Sequence, residues 1–428
     1  MSLGLRIKLS VMMFLQYFVW GLWLPALYQR LGSNGLDLGN TRIAWISAAY
    51  GIGSIVAPFL VGQVADRYFA TEKVMAFAHF FGGLLLIASA YATTFWPLFL
   101  LLLLYCSLYM PTMALSNSIS FRSMGEGNQN SFPLIRMFGA IGWIAAGFFY
   151  AGYLNAGDLP SFRGFYGLSW VGPPTNRDCL RLAGFVSLFY GIYCLFLPHT
   201  PPTPVAVDSP SRLPGAKKRS AMLEVLGLLR DRSFASLIVV SGLIGIMLAF
   251  YFQQENPFLE AIGISVKDIT MYMSFGQVAE TLLIGLVPLS VAKFGVKNTM
   301  MIGAGAWALR FGISAIGTPK WLMISTIGLH GFCFGFFFVV AQMYVDKAAG
   351  EDIKASAQNF FVFVVYGLGT VIGNLLAGKI RDEFGTNWRM VWGFPFGLTL
   401  LCLVFFALCF RDRTATVHPV EGLATELA

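Results

Sequence analysis

Twelve apolar runs, each about the length of a membrane-crossing helix, divide this chain. Charged residues and Pro/Gly clusters bound them at roughly 7–29, 43–65, 74–93, 96–121, 131–154, 180–198, 234–256, 266–290, 298–316, 321–345, 355–380 and 389–410. About twenty apolar residues, wound as a helix, match the ~30 Å hydrocarbon layer of a bilayer. Backbone groups in that layer must all be satisfied internally, which leaves helices or closed barrels. Only 12% of the residues are charged and 57% are hydrophobic, whereas soluble domains are about a quarter charged. An all-α polytopic membrane protein with twelve transmembrane helices is therefore expected, with too little chain left over for a large soluble domain.

The connections organise these spans. After the sixth comes HTPPTPVAVDSPSRLPGAKKRS, which is Pro-rich, basic and without apolar periodicity; it reads as a flexible linker. Its Lys217, Lys218 and Arg219 suit anionic lipid headgroups. The chain repeats itself weakly on either side. SAQNFFVFVVYGLGTVIGNLLAG of span eleven echoes NQNSFPLIRMFGAIGWIAAG of span five, with Gln358-Asn359 answering Gln129-Asn130. Two six-span halves with such similarity are what repeat-built transporters show. The expected division is residues 1–198 for the N-terminal bundle, 199–233 for the linker, 234–410 for the C-terminal bundle and 411–428 for a tail.

The net charge of +8 follows from topology rather than from nucleic-acid binding. With both termini cytoplasmic, seventeen Lys/Arg fall on the inside and ten on the outside, while Arg136 and Arg310 lie within spans; this is the positive-inside bias. The six cysteines show neither metal spacing nor a disulfide framework. The first apolar run is too long for a signal-peptide core and should remain as span one. No cofactor is expected. The motifs of membrane hydrolases, phosphate-binding loops and serine–histidine pairs are missing, so an enzyme is not expected either.

Polar residues inside spans mark the candidate site. Gln277 and Glu280 share a helix face of span eight. An ionised carboxylate in hydrocarbon costs at least ~2.5–3.5 kcal/mol, so Glu280 should face protein, water or ligand. A structural ion pair with a buried arginine competes with a functional role. In span one, Gln16 and Trp20 lie one turn apart and could line a cavity. Arg136, over a turn inside span five, needs an anion, a ring face or carbonyls, and Gly139, Gly142 and Gly147 after it permit close helix approach. Arg310 reads as structural. Span seven ends in Gln253, Gln254, Glu255 and Asn256, of which Gln253 and Asn256 could point inward. Span ten offers His330, as a packing residue more readily than as a proton carrier, and Phe334, which could stack on a planar ligand.

The short connection GQVADRYFATEK carries Gly62, Asp66, Arg67 and Lys73. It resembles the loop signature of the major facilitator superfamily, G-x-x-x-D-R-x-x-x-x-x-K/R, and a gating role at the cytoplasmic mouth is expected of Gly62, Asp66 and Arg67. FLQ-x-x-x-WG-x-WL, YMPT-x-x-x-x-NSIS, FP-x-IR-x-x-G-x-IG, GQ-x-x-ET-L, GVKN-x-MMI-x-x-x-AW-x-LRF and ASAQ are similar to the bacterial nucleoside permeases, the nucleoside:proton symporters of that superfamily. The resemblance implies the major facilitator fold, an inner-membrane location, and nucleoside uptake coupled to protons by a protein acting as a monomer. It places substrate contacts at Arg136, Trp143, Gln277, Glu280 and Phe334, with Gln253 beside an amide position. Glu280 is the expected proton-coupling residue. The chain departs from the family at Gly335, where an aspartate is usual, at Ala140 for a threonine, and at Ala249 and Phe252 for amides. Another polar metabolite, such as a sugar or nucleobase derivative, or an uncoupled facilitator, is the alternative these departures leave open.

Overall fold

A computed structural model describes residues 1–33, 35–57, 69–124, 132–156, 174–201, 221–349 and 353–412. Among these residues the chain is helical, with no strand. The N-terminal half runs through Leu3–Trp23, Asn40–Ala57, Thr71–Tyr91, Phe95–Met124, Phe132–Ala156 and Asp178–Cys194, here spans one to six. The C-terminal half opens with span seven, Arg232–Ala261. Span eight begins as Ile269–Leu283 and passes through a short 3₁₀ turn into Val287–Ile316. That helix turns at Gly295, whose φ of 75° is open to glycine, and continues as span nine. Spans ten, eleven and twelve occupy Lys320–Ala348, Ser356–Phe384 and Trp388–Cys409. The twelve runs of the sequence thus reappear as twelve spans in the expected order.

Local chemistry sets several boundaries. Asp231 accepts the amides of Ser233 and Phe234 at 2.9 Å each and starts span seven. Gly317, left-handed at φ 77°, ends span nine. Pro111 lies inside span four and Pro257 inside span seven. Two stretches depart from the α-helix: Phe332–Val339 in span ten and Phe363–Leu368 in span eleven are π-helical. Such wide turns are rare and concentrate at functional sites.

The buried apolar side chains form separate cores. One is drawn wholly from residues 225–410, two others from residues 9–197. Two seams join the halves: span two lies along span eleven, and span five along span eight. Small residues make both possible. A Cβ on Gly51 would come within 2.9 Å of the Gly367 carbonyl oxygen, and one on Gly147 would run into the Ser274 hydroxyl. Polar bonds tie the halves together at the end of the spans away from the chain termini. Gln29 donates to the Val266 carbonyl at 2.8 Å, Asn155 to Asp268 at 2.9 Å, and Asn40 and Thr41 both to Asp382. Asn256 reaches the Pro25 carbonyl. The two bundles are therefore closed on each other at this far end.

Candidate functional site

The candidate site is centred on Glu280, where span eight lies along span five of the other bundle. In the α-helical part of span eight the exposed large apolar side chains are Phe275 and Leu282, both on the face opposite Glu280 at 100° per residue; Ile284, Leu286 and Leu289 are exposed in and after the 3₁₀ turn that follows. Lipid therefore sees leucine and phenylalanine, while the carboxylate turns inward. There its oxygen stands 3.6 Å from Nε2 of His330, and 20% of its side chain stays open against 2% of the histidine. The imidazole is wedged among Tyr251, Trp307 and Phe334, with Nδ1 buried and unpartnered. Gln277, one turn along the same face, is half-buried. Its carboxamide has no partner among the described residues.

Across the seam, Arg136 lies within electrostatic reach of Glu280 without a direct ion pair. Its guanidinium sits 4.3 Å above the ring of Tyr17, a cation–π contact. Gly139 is what permits it: a Cβ there would press within 2.7 Å of the Tyr17 ring and 2.9 Å of Arg136 Nη1. Trp20 follows one turn after Tyr17 and meets Trp143 edge-on at 5.0 Å. It is also stacked on Tyr50 of span two at 5.5 Å. Opposite stands Phe334, half-buried in the π-helical stretch of span ten. The arrangement presents flat aromatic faces on both sides of a polar centre made of one cation, one carboxylate and one free amide.

Two expected residues stand apart. Gln16 was expected to line the cavity with Trp20; instead it is fully buried inside the N-terminal bundle. Its amide nitrogen donates to Thr112 at 2.7 Å, and its oxygen meets His79 Nε2 and the Tyr190 hydroxyl, each at 3.1 Å. No bonding capacity remains for a ligand. The inward face of span one runs through Tyr17 and Trp20, so Gln16 falls just beyond its edge. Gln253 is 7% exposed, with its carboxamide oxygen buried and unbonded. It lies one turn from Asn256, which bonds across to Pro25, and so belongs to the face of span seven that meets span one. Gly62, Asp66 and Arg67 fall outside the described residues.

A family model described as nucleoside H+ symporter matches residues 3–415. The chain belongs to that family. "Putative nucleoside transporter YegT" of Escherichia coli (strain K12) is 34% identical over 97% of this chain and 96% of its own. Nucleoside permease NupG of the same strain is 28% identical over 97% and 98%. A crystal structure of a mutant of the nucleoside transporter NupG superposes with a TM-score of 0.80 at 27% identity, over 95% of this chain and all of that one. The major facilitator fold, two six-helix bundles about a shared centre, is thereby established.

Within a symporter family the buried charges divide into two kinds. Glu255 and Arg310 pair at 3.2 Å, 3% and 1% exposed, and Arg310 also lies 3.9 Å over the Tyr251 ring. The two are paired with each other inside the C-terminal bundle, although Glu255 Oε2 and Arg310 Nε and Nη1 are buried without a hydrogen-bond partner among the described residues; a structural role for Arg310 is what the sequence suggests. Glu280 is not so closed. Among the described residues no cluster of three metal-ligating side chains occurs. Gly335 is buried, and a side chain there would face Ile284 and Val287, an apolar part of span eight. The sequence reading missed Tyr17, Tyr50 and Tyr366 and the pairing of His330 with Glu280. The tyrosines did carry a signal, the segment Tyr50-Gly51-Ile52-Gly53-Ser54 recurring as Tyr366-Gly367-Leu368-Gly369-Thr370.

Proposed function

We propose that this chain carries nucleosides across the bacterial inner membrane together with protons, by alternating access, with both termini cytoplasmic and one chain as the transporting unit. The observation that carries this reading is Glu280: a carboxylate in mid-span, partly open, opposite Arg136 and flanked by aromatic faces on both bundles. A nucleoside is a flat base joined to a ribose with vicinal hydroxyls. Trp143, Trp20 and Phe334 suit the base, and Arg136, Gln277 and Glu280 suit its ring atoms and the ribose hydroxyls. Glu280 is also the group that exchanges the proton. It has no guanidinium bound to it, so neutralising it breaks no ion pair with arginine, unlike Glu255. The far end is closed in this structure, so ligand does not enter or leave there in this state. Asp66 and Arg67 are assigned to gating at the end bearing the termini on the sequence pattern alone.

Uptake by purified protein in liposomes, with a panel of radiolabelled nucleosides, nucleobases and sugars, tests the substrate class. Saturable uptake of nucleosides, competed by other nucleosides and not by sugars, is expected. Uptake of sugars or nucleobases in their place would assign the alternative substrate.

A further inference from the structure

The two tyrosines of the repeated segment stand where spans two and eleven cross between the bundles. In each copy the first glycine faces the other bundle. A Cβ on Gly51 would meet the Gly367 carbonyl at 2.9 Å, and one on Gly367 would meet Ile55 at 2.8 Å. The second glycine of each copy faces its own bundle: Gly53 lies on the backbone of Cys106 in span four, and Gly369 on that of Gly245 in span seven. Each tyrosine is thus carried on a segment clamped from two sides by backbone contact, and its position is fixed relative to both halves. Clamping of this kind accounts for the glycines. It does not account for the tyrosines, whose rings are half-buried and whose hydroxyls bond to no group among the described residues.

Their surroundings differ. Tyr50 is stacked on Trp20 at 5.5 Å with 26° between ring planes, among the aromatic faces of the N-terminal bundle. Tyr366 lies in the π-helical turn of span eleven, 6.2 Å from the ring of Phe338. Its hydroxyl is within electrostatic reach of Tyr50, Glu280, Tyr17 and Arg136. A phenol hydroxyl with no partner among the described residues suits a ligand hydroxyl, donating to it or accepting from it. A free phenol ring on a tryptophan suits the edge or face of a base.

Resting on the nucleoside reading above, we propose that Tyr366 and Tyr50 are specificity-determining contacts at this crossing: Tyr366 binds a ribose hydroxyl with its unbonded phenol, and Tyr50 bounds the base end together with Trp20. The helices that rock against one another at this crossing then each hold one end of the substrate, so ligand occupancy is felt directly at the seam.

Calorimetric binding of uridine and 2′,3′-dideoxyuridine to full-length detergent-solubilised protein tests this. Tyr366→Phe removes one oxygen and keeps the ring, so it should fold as the unmutated protein does. It is expected to weaken uridine about tenfold, the scale of one lost hydrogen bond to a polar group, and to leave 2′,3′-dideoxyuridine unchanged. Tyr50→Ala is expected to weaken both ligands about tenfold, with Tyr50→Phe neutral. Uridine binding that is unaltered in Tyr366→Phe, or reduced equally for both ligands, would overturn the assignment of Tyr366. Unaltered binding in Tyr50→Ala would overturn that of Tyr50. In either case binding by the unmutated protein keeps the nucleoside reading standing. An unmutated protein that binds neither ligand would remove that reading and this inference together.

Discussion

A charged side chain in a span is costly wherever it points, so its partners decide what it does. Arg310 and Arg136 show the contrast. Arg310 is 1% exposed, bonded to Glu255 and laid over Tyr251. Removing it strands a buried carboxylate, at about 3–5 kcal/mol. Arg310→Ala should therefore lower the unfolding temperature in detergent steeply, with partial recovery on adding Glu255→Gln. Arg136 is half-buried, lies over the Tyr17 ring, and has no carboxylate bound to it among the described residues. Arg136→Ala should unfold within a few degrees of the unmutated protein yet lose most nucleoside affinity, as should Gln277→Ala. Unchanged binding in both would reject the site. The sequence makes these charges legible because carboxylates and guanidinia are so rare in apolar runs. It does not reveal that Glu280 meets His330 rather than a cation, since spans eight and ten are brought together only by packing. Gln16 shows the reverse failure. A polar residue one turn from Trp20 reads as lining, but 40° of helix rotation turns it toward His79 and Thr112.

Single helices set the geometry of the crossings. Span boundaries are readable to within a few residues because apolar length and Pro/Gly punctuation mark them. The π-helical turns at Phe332–Val339 and Phe363–Leu368 are not, because an extra residue in one turn leaves no pattern in a uniformly apolar stretch. Glycines at the seams are visible in the sequence, but not what they touch. Gly147 of span five lies against Ser274 and the Thr270 carbonyl of span eight. A branched side chain there forces the far ends of the bundles apart, an overpacking of about 1–3 kcal/mol. Gly147→Val is expected to slow transport severely while nucleoside binding in detergent changes less than threefold. Full transport in this variant would show that the seam tolerates the separation.

At the scale of the whole molecule, the three cores, one in the C-terminal half and two in the N-terminal half, and the two seams describe halves that hold together at one end. Twofold repetition was readable as two sets of six spans; most of the linker expected between them falls outside the described residues. Which end is closed was not readable, because that depends on bonds such as Asn155 to Asp268 and Asn40 and Thr41 to Asp382, made between residues that look like ordinary helix ends. Replacing Asp268 and Asp382 together by alanine should shift the population toward opening at that end. Spin labels at Ser33 and Glu383 should then report a longer mean distance than in the protein with both aspartates; an unchanged distance would mean that these bonds do not hold the far end shut. The central claim is that Glu280 joins nucleoside and proton in one cycle. Glu280→Gln keeps the hydrogen-bonding amide and mimics the protonated acid. The direct measurement is uridine accumulation in proteoliposomes under an imposed pH gradient, with and without an uncoupler, for the unmutated protein and for Glu280→Gln. The account predicts gradient-driven, uncoupler-sensitive accumulation by the unmutated protein, and none by Glu280→Gln, which should still exchange labelled for unlabelled uridine. Uptake by the unmutated protein that ignores both the gradient and the uncoupler would contradict it and make the chain a facilitator.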